Sequence, residues 1–442
     1  MTTRAFLITG ARLADGRTTD IRIEAGRVTE LGAGLDARGA ETIDASGLIA
    51  LPGLVDLHTH LREPGYEQSE TVLTGTRAAA AGGFTTVFAM ANTSPVADTA
   101  GVVEQELALG EAAGYARVQP IGAVTVGLQG ERLAELGAMA RSRAAVRVFS
   151  DDGFCVSDSR LMRRALEYVK TVDGVIAQHA QDPALTVGAQ MNEGTVSAEL
   201  GLTGWPAVAE ESIIARDVLL AEHVGARLHV CHLSTAGSVE VLRWAKARGA
   251  QVTAEVTPHH LLLTEELVRG YDPRYKVNPP LRRQEDVDAL RLAVADGTID
   301  IVATDHAPHP VEAKECEWPA AANGMVGLES ALSVVQATLV DPGHVGWSDV
   351  ARILSEAPAR IGRITGQGEP IAVGSTAEIT LYDPSPVRPF GTDRLRGQAV
   401  NSPFIGTELP GRVVWTFHDG YPTLADGELR EPDDIAAELV RA

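Results

Sequence analysis

Leu54-Val-Asp-Leu-His58 is a short apolar run that ends on a polar side chain, and a stretch rich in Ala, Gly and Thr follows it. The rhythm of short run and longer stretch returns at Thr85-Thr-Val-Phe-Ala-Met-Ala-Asn92, Val118-Gln-Pro-Ile-Gly-Ala-Val-Thr125, Ala145-Val-Arg-Val-Phe-Ser150 and Val175-Ile-Ala-Gln-His179. It continues through Leu228-His-Val-Cys-His232, Val252-Thr-Ala-Glu-Val256 and Ile299-Asp-Ile-Val-Ala-Thr304, with helix-like stretches such as Ala207 to His223 and Asp286 to Ala295 between runs. Short apolar runs alternating with helical stretches predict a parallel sheet, and eight of them predict an α/β fold of the (β/α)8 barrel type. An open doubly wound sheet is the alternative. It lacks support, because no glycine-rich phosphate loop follows the first run.

Both ends of the chain read differently. Ala5-Phe-Leu-Ile-Thr9, Asp20-Ile-Arg-Ile-Glu24 and Gly26-Arg-Val-Thr-Glu30 alternate apolar with polar, as do Ala377-Glu-Ile-Thr-Leu-Tyr382 and Gly411-Arg-Val-Val-Trp-Thr-Phe417. We therefore expect a small β-sandwich domain built from both termini, residues 1–50 plus 372–442, around a barrel of residues 51–371.

Composition narrows the function. The 442 residues carry 38 Lys and Arg against 59 Asp and Glu, a formal charge of −21. Such a surface repels nucleic acid and anionic membranes, so an anionic substrate would need a local positive group. Cys155, Cys231 and Cys316 are too scattered for a disulfide framework or a cysteine-based zinc site. The apolar stretch within residues 1–10 is too short for a secretory signal, and no run reaches transmembrane length. These features predict a cytoplasmic, reduced protein.

In parallel barrels, catalytic groups stand where strands end. The first run ends in His58-Thr-His60, the fourth leads into Asp151-Asp152, the fifth ends in His179, the sixth in His232, and Asp305 follows the eighth. A single His-x-His pair carries little weight, but residues two apart in a strand face the same side and can converge on one ion. Four imidazoles and two carboxylates exceed the needs of one tetrahedral zinc. They suit two divalent ions about 3.5–4 Å apart that share a carboxylate and a hydroxide. Asp305 is the candidate for taking a proton from the nucleophile and passing it to a leaving nitrogen. Alternation leaves Asp151 and Asp152 equally open as the bridge.

Val55-Asp-Leu-His-Thr-His60 resembles the signature of the amidohydrolase superfamily, and His58-Thr-His-Leu-Arg-Glu-Pro-Gly65 resembles the class I bacterial dihydroorotases within it. The likeness extends through Met90-Ala-Asn-Thr93, Phe149-Ser-Asp-Asp-Gly153, Glu255-Val-Thr-Pro-His-His260, Lys276-Val-Asn-Pro-Pro280, Thr304-Asp-His-Ala-Pro-His309 and Asn401-Ser-Pro-Phe404. The resemblance implies reversible, zinc-dependent cyclisation of N-carbamoyl-L-aspartate to L-dihydroorotate, a step of pyrimidine synthesis. It implies one Zn2+ on His58 and His60 with Asp305 beside it, and a second on His179 and His232. The family's spacing to the next histidine ligand makes Asp152 the bridge, together with hydroxide. It also implies that Arg62, Asn92 and His309 hold the substrate carboxylate, that Asn278 contacts the ring, and that His60 binds substrate as well as metal. Asn323-Gly324, in a loop over the mouth from Pro308 to Leu328, matches a backbone contact where the family usually carries Phe-Gly.

Many relatives, among them hydantoinases and allantoinases, bridge their ions with a carboxylated lysine on the fourth strand. The four lysines here, Lys170, Lys246, Lys276 and Lys314, all lie away from residues 149–153. Arg62 points the same way, because a guanidinium fork suits a carboxylate that uncharged hydantoins lack. The rival readings are another cyclic amidase (hydantoinase, dihydropyrimidinase or allantoinase) and a catalytically silent scaffold for aspartate transcarbamoylase. A homodimer and a complex with that transcarbamoylase are the possible assemblies. Plainer roles are expected elsewhere. His223, His344 and His418 read as surface or packing residues, His229 as facing away from His232, and Cys231 as core turned from the ions. Glu210-Glu211 reads as a charged helix face, and His259, His260 and His306 as groups that orient ligands.

Overall fold

The computed structural model describes residues 5–431, so residues 1–4 and 432–442 of the expected terminal unit lie outside the described residues. All eight central runs form strands: β1 (Leu54–Thr59), β2 (Phe84–Ala89), β3 (Arg117–Pro120), β4 (Val148–Phe149), β5 (Val175–Gln178), β6 (Leu228–Val230), β7 (Val252–Val256) and β8 (Ile301–Val302). β1 to β3 make one parallel arc and β4 to β8 another. Single parallel bridges join the arcs into a ring, Gly122 to Phe149 on one side and Thr59 to His306 on the other. At the second, the His60 N–H donates to the His306 carbonyl at 2.8 Å.

Alternation sets what faces the axis. Val175 and Ala177 of β5 join Val55, Phe88, Val148 and Ile301 in one buried cluster, whereas Ile176 packs outward under the helices. The same parity carries His179, one residue beyond β5, to the rim. Ile301 and Ala303 do this for Asp305, and Phe88 and Met90 for Asn92.

Helices form the outer wall. Val72–Gly82 is capped by the Thr71 hydroxyl and stopped by Gly83 at φ 86°, a left-handed position that glycine adopts without strain. The two helices expected from sequence span Val208–Val224 and Gln284–Ala295. Several strands are shorter than their apolar runs, because the backbone leaves the ladder at the rim, where His232 has φ 30° and Asp305 φ 48°.

The two ends of the chain meet in one nine-stranded sheet. Ile49–Pro52 lies antiparallel to Ile379–Pro389, with Ala50 opposite Leu381, and an Arg27–Thr376 bridge brings the first strands against the last. Phe6, Ile8, Ile21, Ile379 and Phe417 form its buried core, and the Phe6 and Phe417 rings meet edge-on at 5.5 Å. None of the described helices is long and apolar enough to cross a membrane.

Candidate functional site

One carboxylate organises the rim. Asp152 presents Oδ1 to His179 Nδ1 and His232 Nε2, each at 3.2 Å, and Oδ2 to His58 Nε2 and His60 Nε2, each at 3.4 Å. Asp305 Oδ1 lies 3.1 Å from His60 Nε2 and 3.5 Å from His58 Nε2. All six residues named from sequence, four His and two Asp, are buried together at the strand ends. Asp151 turns away and accepts the N–H groups of Val124 at 2.8 Å and Thr125 at 2.9 Å, along with the Thr125 hydroxyl. Where alternation left the pair open, geometry puts Asp152 in the cluster and gives Asp151 a loop to hold.

The outer nitrogens fix which ring atoms face inward. His58 Nδ1 donates to Glu255 Oε1 at 2.6 Å, which leaves Nε2 as the atom that faces Asp152 and Asp305. His60 Nδ1 donates to Asn92 Oδ1 at 2.9 Å, and His179 Nε2 to Gln181 Oε1 at 2.8 Å. His179 Nδ1 and His232 Nε2 consequently approach each other at 2.9 Å beside a carboxylate oxygen. Electrostatics follow from this crowding. Burial pulls the His58 pKa down, but Asp152, Glu255 and Asp305 outweigh it and hold the ring well above its ordinary value. Against burial, the facing imidazoles hold Asp152 well below the usual carboxylate range and lower Asp305.

These contacts test the fit of a cation. His58 Nε2 is buried without a hydrogen-bond partner, and it faces two carboxylates that offer only lone pairs. Carboxylates converging on a buried ring are costly unless a positive charge stands among them, either a proton on the imidazole or a cation in its place. Ligand atoms of His58, His60 and Asp152, and separately of Asp152, His179 and His232, fall within 4.8 Å of one another. The donor set fits a metal site built on these residues. All four lysines are engaged elsewhere: Lys170 on the Val224 carbonyl, Lys246 on Asp300, and Lys276 and Lys314 on rim-loop carbonyls.

Around this cluster stand the other expected residues. Arg62 adopts φ 64° and donates Nε to the Pro308 carbonyl at 3.2 Å. Its neighbour Glu63 accepts the Val72 N–H instead, so the two charges do not pair. Burial pushes the Arg62 pKa down to about 10, which leaves it cationic at neutral pH. Asn278 Nδ2 donates to Gln181 Oε1 at 3.0 Å, the oxygen that also accepts from His179. The segment after β8 forms the expected loop, in which His309 Nε2 donates to the Asn323 carbonyl at 2.7 Å. Gly324 sits at φ 126°, and a Cβ there would meet the Ala307 side chain at 2.7 Å.

Some expectations need correction. His229 does not turn away from the site: it is buried and reaches Glu255 Oε2 at 3.0 Å. Cys231 faces the barrel axis close to His58 and Glu255 rather than away from the cluster. Both errors share one cause, since β6 ends at Val230 and strand parity stops applying before His232. Glu210 is not a solvated face, because it is buried and accepts the Ser234 N–H at 3.0 Å and the Ser238 hydroxyl at 2.6 Å. His260 bonds Thr257 and Pro279, and His306 bonds Glu70 and Gly327. No hydrogen bond runs from His259, His260 or His306 to the four clustered rings. Two residues that the sequence reading passed over, Glu255 and Gln181, orient His58 and His179. Glu255 had a signal, as a lone carboxylate in an apolar run, but it stands inside the run rather than at its end.

Comparison with known proteins gives consistent results. A family model described as "Dihydro-orotase-like" matches residues 47–238. A "Dihydroorotase" of Leifsonia xyli subsp. xyli is 75% identical over 431 residues, covering 98% of both chains. One of Streptomyces coelicolor is 66% identical, covering 96% of this chain and 99% of the other. Among solved structures, an L-hydantoinase (dihydropyrimidinase) from Arthrobacter aurescens superposes with a TM-score of 0.86 at 25% identity, covering 97% of this chain and 98% of its own.

Proposed function

The chain belongs to the dihydroorotase family of the amidohydrolase superfamily, and from that premise we propose that its rim interconverts N-carbamoyl-L-aspartate and L-dihydroorotate. One observation carries the reading at the level of residues: Asp152 divides its two oxygens between two pairs of imidazole nitrogens. His58 and His60, with Asp305 beside them, would hold one divalent ion, His179 and His232 the other, with Asp152 between. Zinc suits a set this rich in imidazole, although manganese and cobalt accept the same donors. When bound, the pair would supply Lewis acidity and a water that ionises near neutral pH.

The remaining work falls to the chain. Asp305, low in pKa and within 3.1 Å of His60, is placed to accept a proton at its carboxylate and return it to the amide nitrogen that leaves when the ring opens. Arg62 brings the positive group that an acidic protein must supply locally for a substrate carboxylate. In this reading Asn92 and His309 would share the carboxylate with Arg62, Asn278 would contact the ring, and the Asn323-Gly324 backbone would close over it. Arg62 separates this reading from a hydantoinase, whose substrate has no exocyclic acid. The complete ligand set separates it from a silent scaffold.

Companion proposals are a boundary between units at residues 50/51 and 371/372, supported by the shared terminal sheet, and a reduced cytoplasmic setting, supported by three unpaired cysteines. A second copy of the chain and aspartate transcarbamoylase are the proposed protein partners, and sizing the protein alone and mixed with the transcarbamoylase checks both. The central test is metal content together with side-by-side ring-opening assays. Two equivalents of zinc and turnover of dihydroorotate are expected. Turnover of hydantoin alone would overturn the proposal.

A further inference from the structure

Away from the rim, a cavity of about 220 Å³ lies where the strand Ile379–Pro389 and its partner Glu408–His418 meet the barrel. Arg388, Arg394, Arg396 and Arg412 all line it, together with the acidic Glu329 and Asp393, while Asp383 and Glu428 stand just outside the lining. Glu329 is already engaged, since its Oε1 accepts the N–H groups of Arg396 at 2.9 Å and Gly397 at 3.3 Å. A concentration of guanidinium groups is unexpected on a chain with a formal charge of −21.

The four cations have few anionic partners of their own. Arg412 Nε stands 3.9 Å from Asp383, and Arg396 Nη2 3.8 Å from Glu428, both long for an ion pair. Arg394 donates to the Gly411 carbonyl at 3.1 Å and lies over the Phe390 ring, with no carboxylate in hydrogen-bond reach. Among the described residues, the Arg388 guanidinium has neither a hydrogen bond nor an ion pair. Burial lowers the Arg394 pKa; Tyr382 and Asp393 oppose this, while Arg388 and Arg412 add to the lowering, which places the three guanidiniums close enough to repel one another.

We propose that this cleft binds a diphosphate group, either free pyrophosphate or the phosphate end of a nucleoside diphosphate. A single carboxylate or monophosphate would occupy one or two guanidinium forks, whereas two linked phosphoryl groups offer oxygens to all four. The cavity has room for the phosphates but not for a base and sugar, so any nucleoside would lie outside it.

Calorimetry on the full chain near physiological salt tests this, with inorganic pyrophosphate, ADP and inorganic phosphate as probes. Pyrophosphate should bind at least tenfold more tightly than phosphate, and the double variant Arg388→Ala/Arg412→Ala should weaken it at least tenfold while leaving ring-opening turnover unchanged. Tighter binding of ADP than of pyrophosphate would identify a nucleotide as the source, and equal binding would identify the free anion. If pyrophosphate does not bind, or binds the double variant as it binds the native chain, the cleft is a solvated basic surface and the proposal falls. Neither outcome touches the assignment of the rim.

Discussion

The rim and the terminal sheet both join residues from distant parts of the chain, but by opposite means. In the sheet, backbone groups pair and apolar faces close on each other, as Phe6 and Phe417 do. At the rim, side-chain lone pairs converge and the backbone bends into left-handed conformations at Arg62, His232 and Asp305. Each such residue stores strain on the order of 1–3 kcal/mol that the rest of the fold must sustain. The sheet, like the larger apolar core of the barrel, contributes stability, and the rim uses part of that stability to hold groups which repel one another. Substitutions should therefore separate cleanly: rim changes should cost turnover, and sheet changes should cost stability.

The hardest test of that separation is Asp305→Asn. It should bind most of the metal and melt near the native temperature, yet lose about 10²–10⁴ in kcat with dihydroorotate, because the proton acceptor is gone. An active Asp305→Asn enzyme would remove the residue from the mechanism. Next, Arg62→Met should raise KM for dihydroorotate about 10- to 100-fold, the effect of losing a charged hydrogen-bond pair, with a smaller change in kcat. An unchanged KM would show that the acid is held elsewhere. Glu255→Gln should weaken metal affinity about 10- to 100-fold through its hold on His58, as read by competition with a chelator. Metal affinity equal to the native chain's would reduce Glu255 to packing.

Two changes in the sheet sharpen the other side. Phe417→Ala should lower unfolding stability by about 3–5 kcal/mol while kcat/KM stays within about twofold. The smallest effect concerns His418, which lies 3.1 Å from Glu378. Burial lowers its pKa, but the Glu378 carboxylate outweighs burial and raises it. A raised value in the folded state means that the pair stabilises fully below about pH 6.5 and weakens as pH climbs through the folded value. On going from pH 6 to pH 9, the native chain should lose more in Tm than His418→Gln does, by a small margin, since 1 kcal/mol moves the Tm of a fold this large by only about 1 °C. Equal losses would show that the pair adds nothing.

Most of the barrel and the central cluster could be read from the sequence, because each apolar run marks a strand and polar residues at its end mark the rim. What escaped did so for local reasons. Glu255 was hidden inside a run, where a carboxylate gives no terminal signal. Glu210 sits on a helix whose spacing cannot show that Ser234 and Ser238 will come to meet it. Parity misplaced His229 and Cys231 because β6 ends at Val230, and it could not separate Asp151 from Asp152 because β4 stops at Phe149. In each case backbone pairing, which one chain of letters does not display, fixed where alternation ceases to apply.

The bridge from Thr59 to His306 has a consequence for how this protein is made. His60 and Asp305 are 245 positions apart, so the ribosome releases the first half of the nest long before the last strand exists to complete it. A growing polypeptide carries five of the six clustered side chains before the last strand exists, and the cluster is finished only when the ring closes. The completed nest of carboxylates and imidazoles is thus a late product of folding, and Asp305 is the last of its six side chains to arrive.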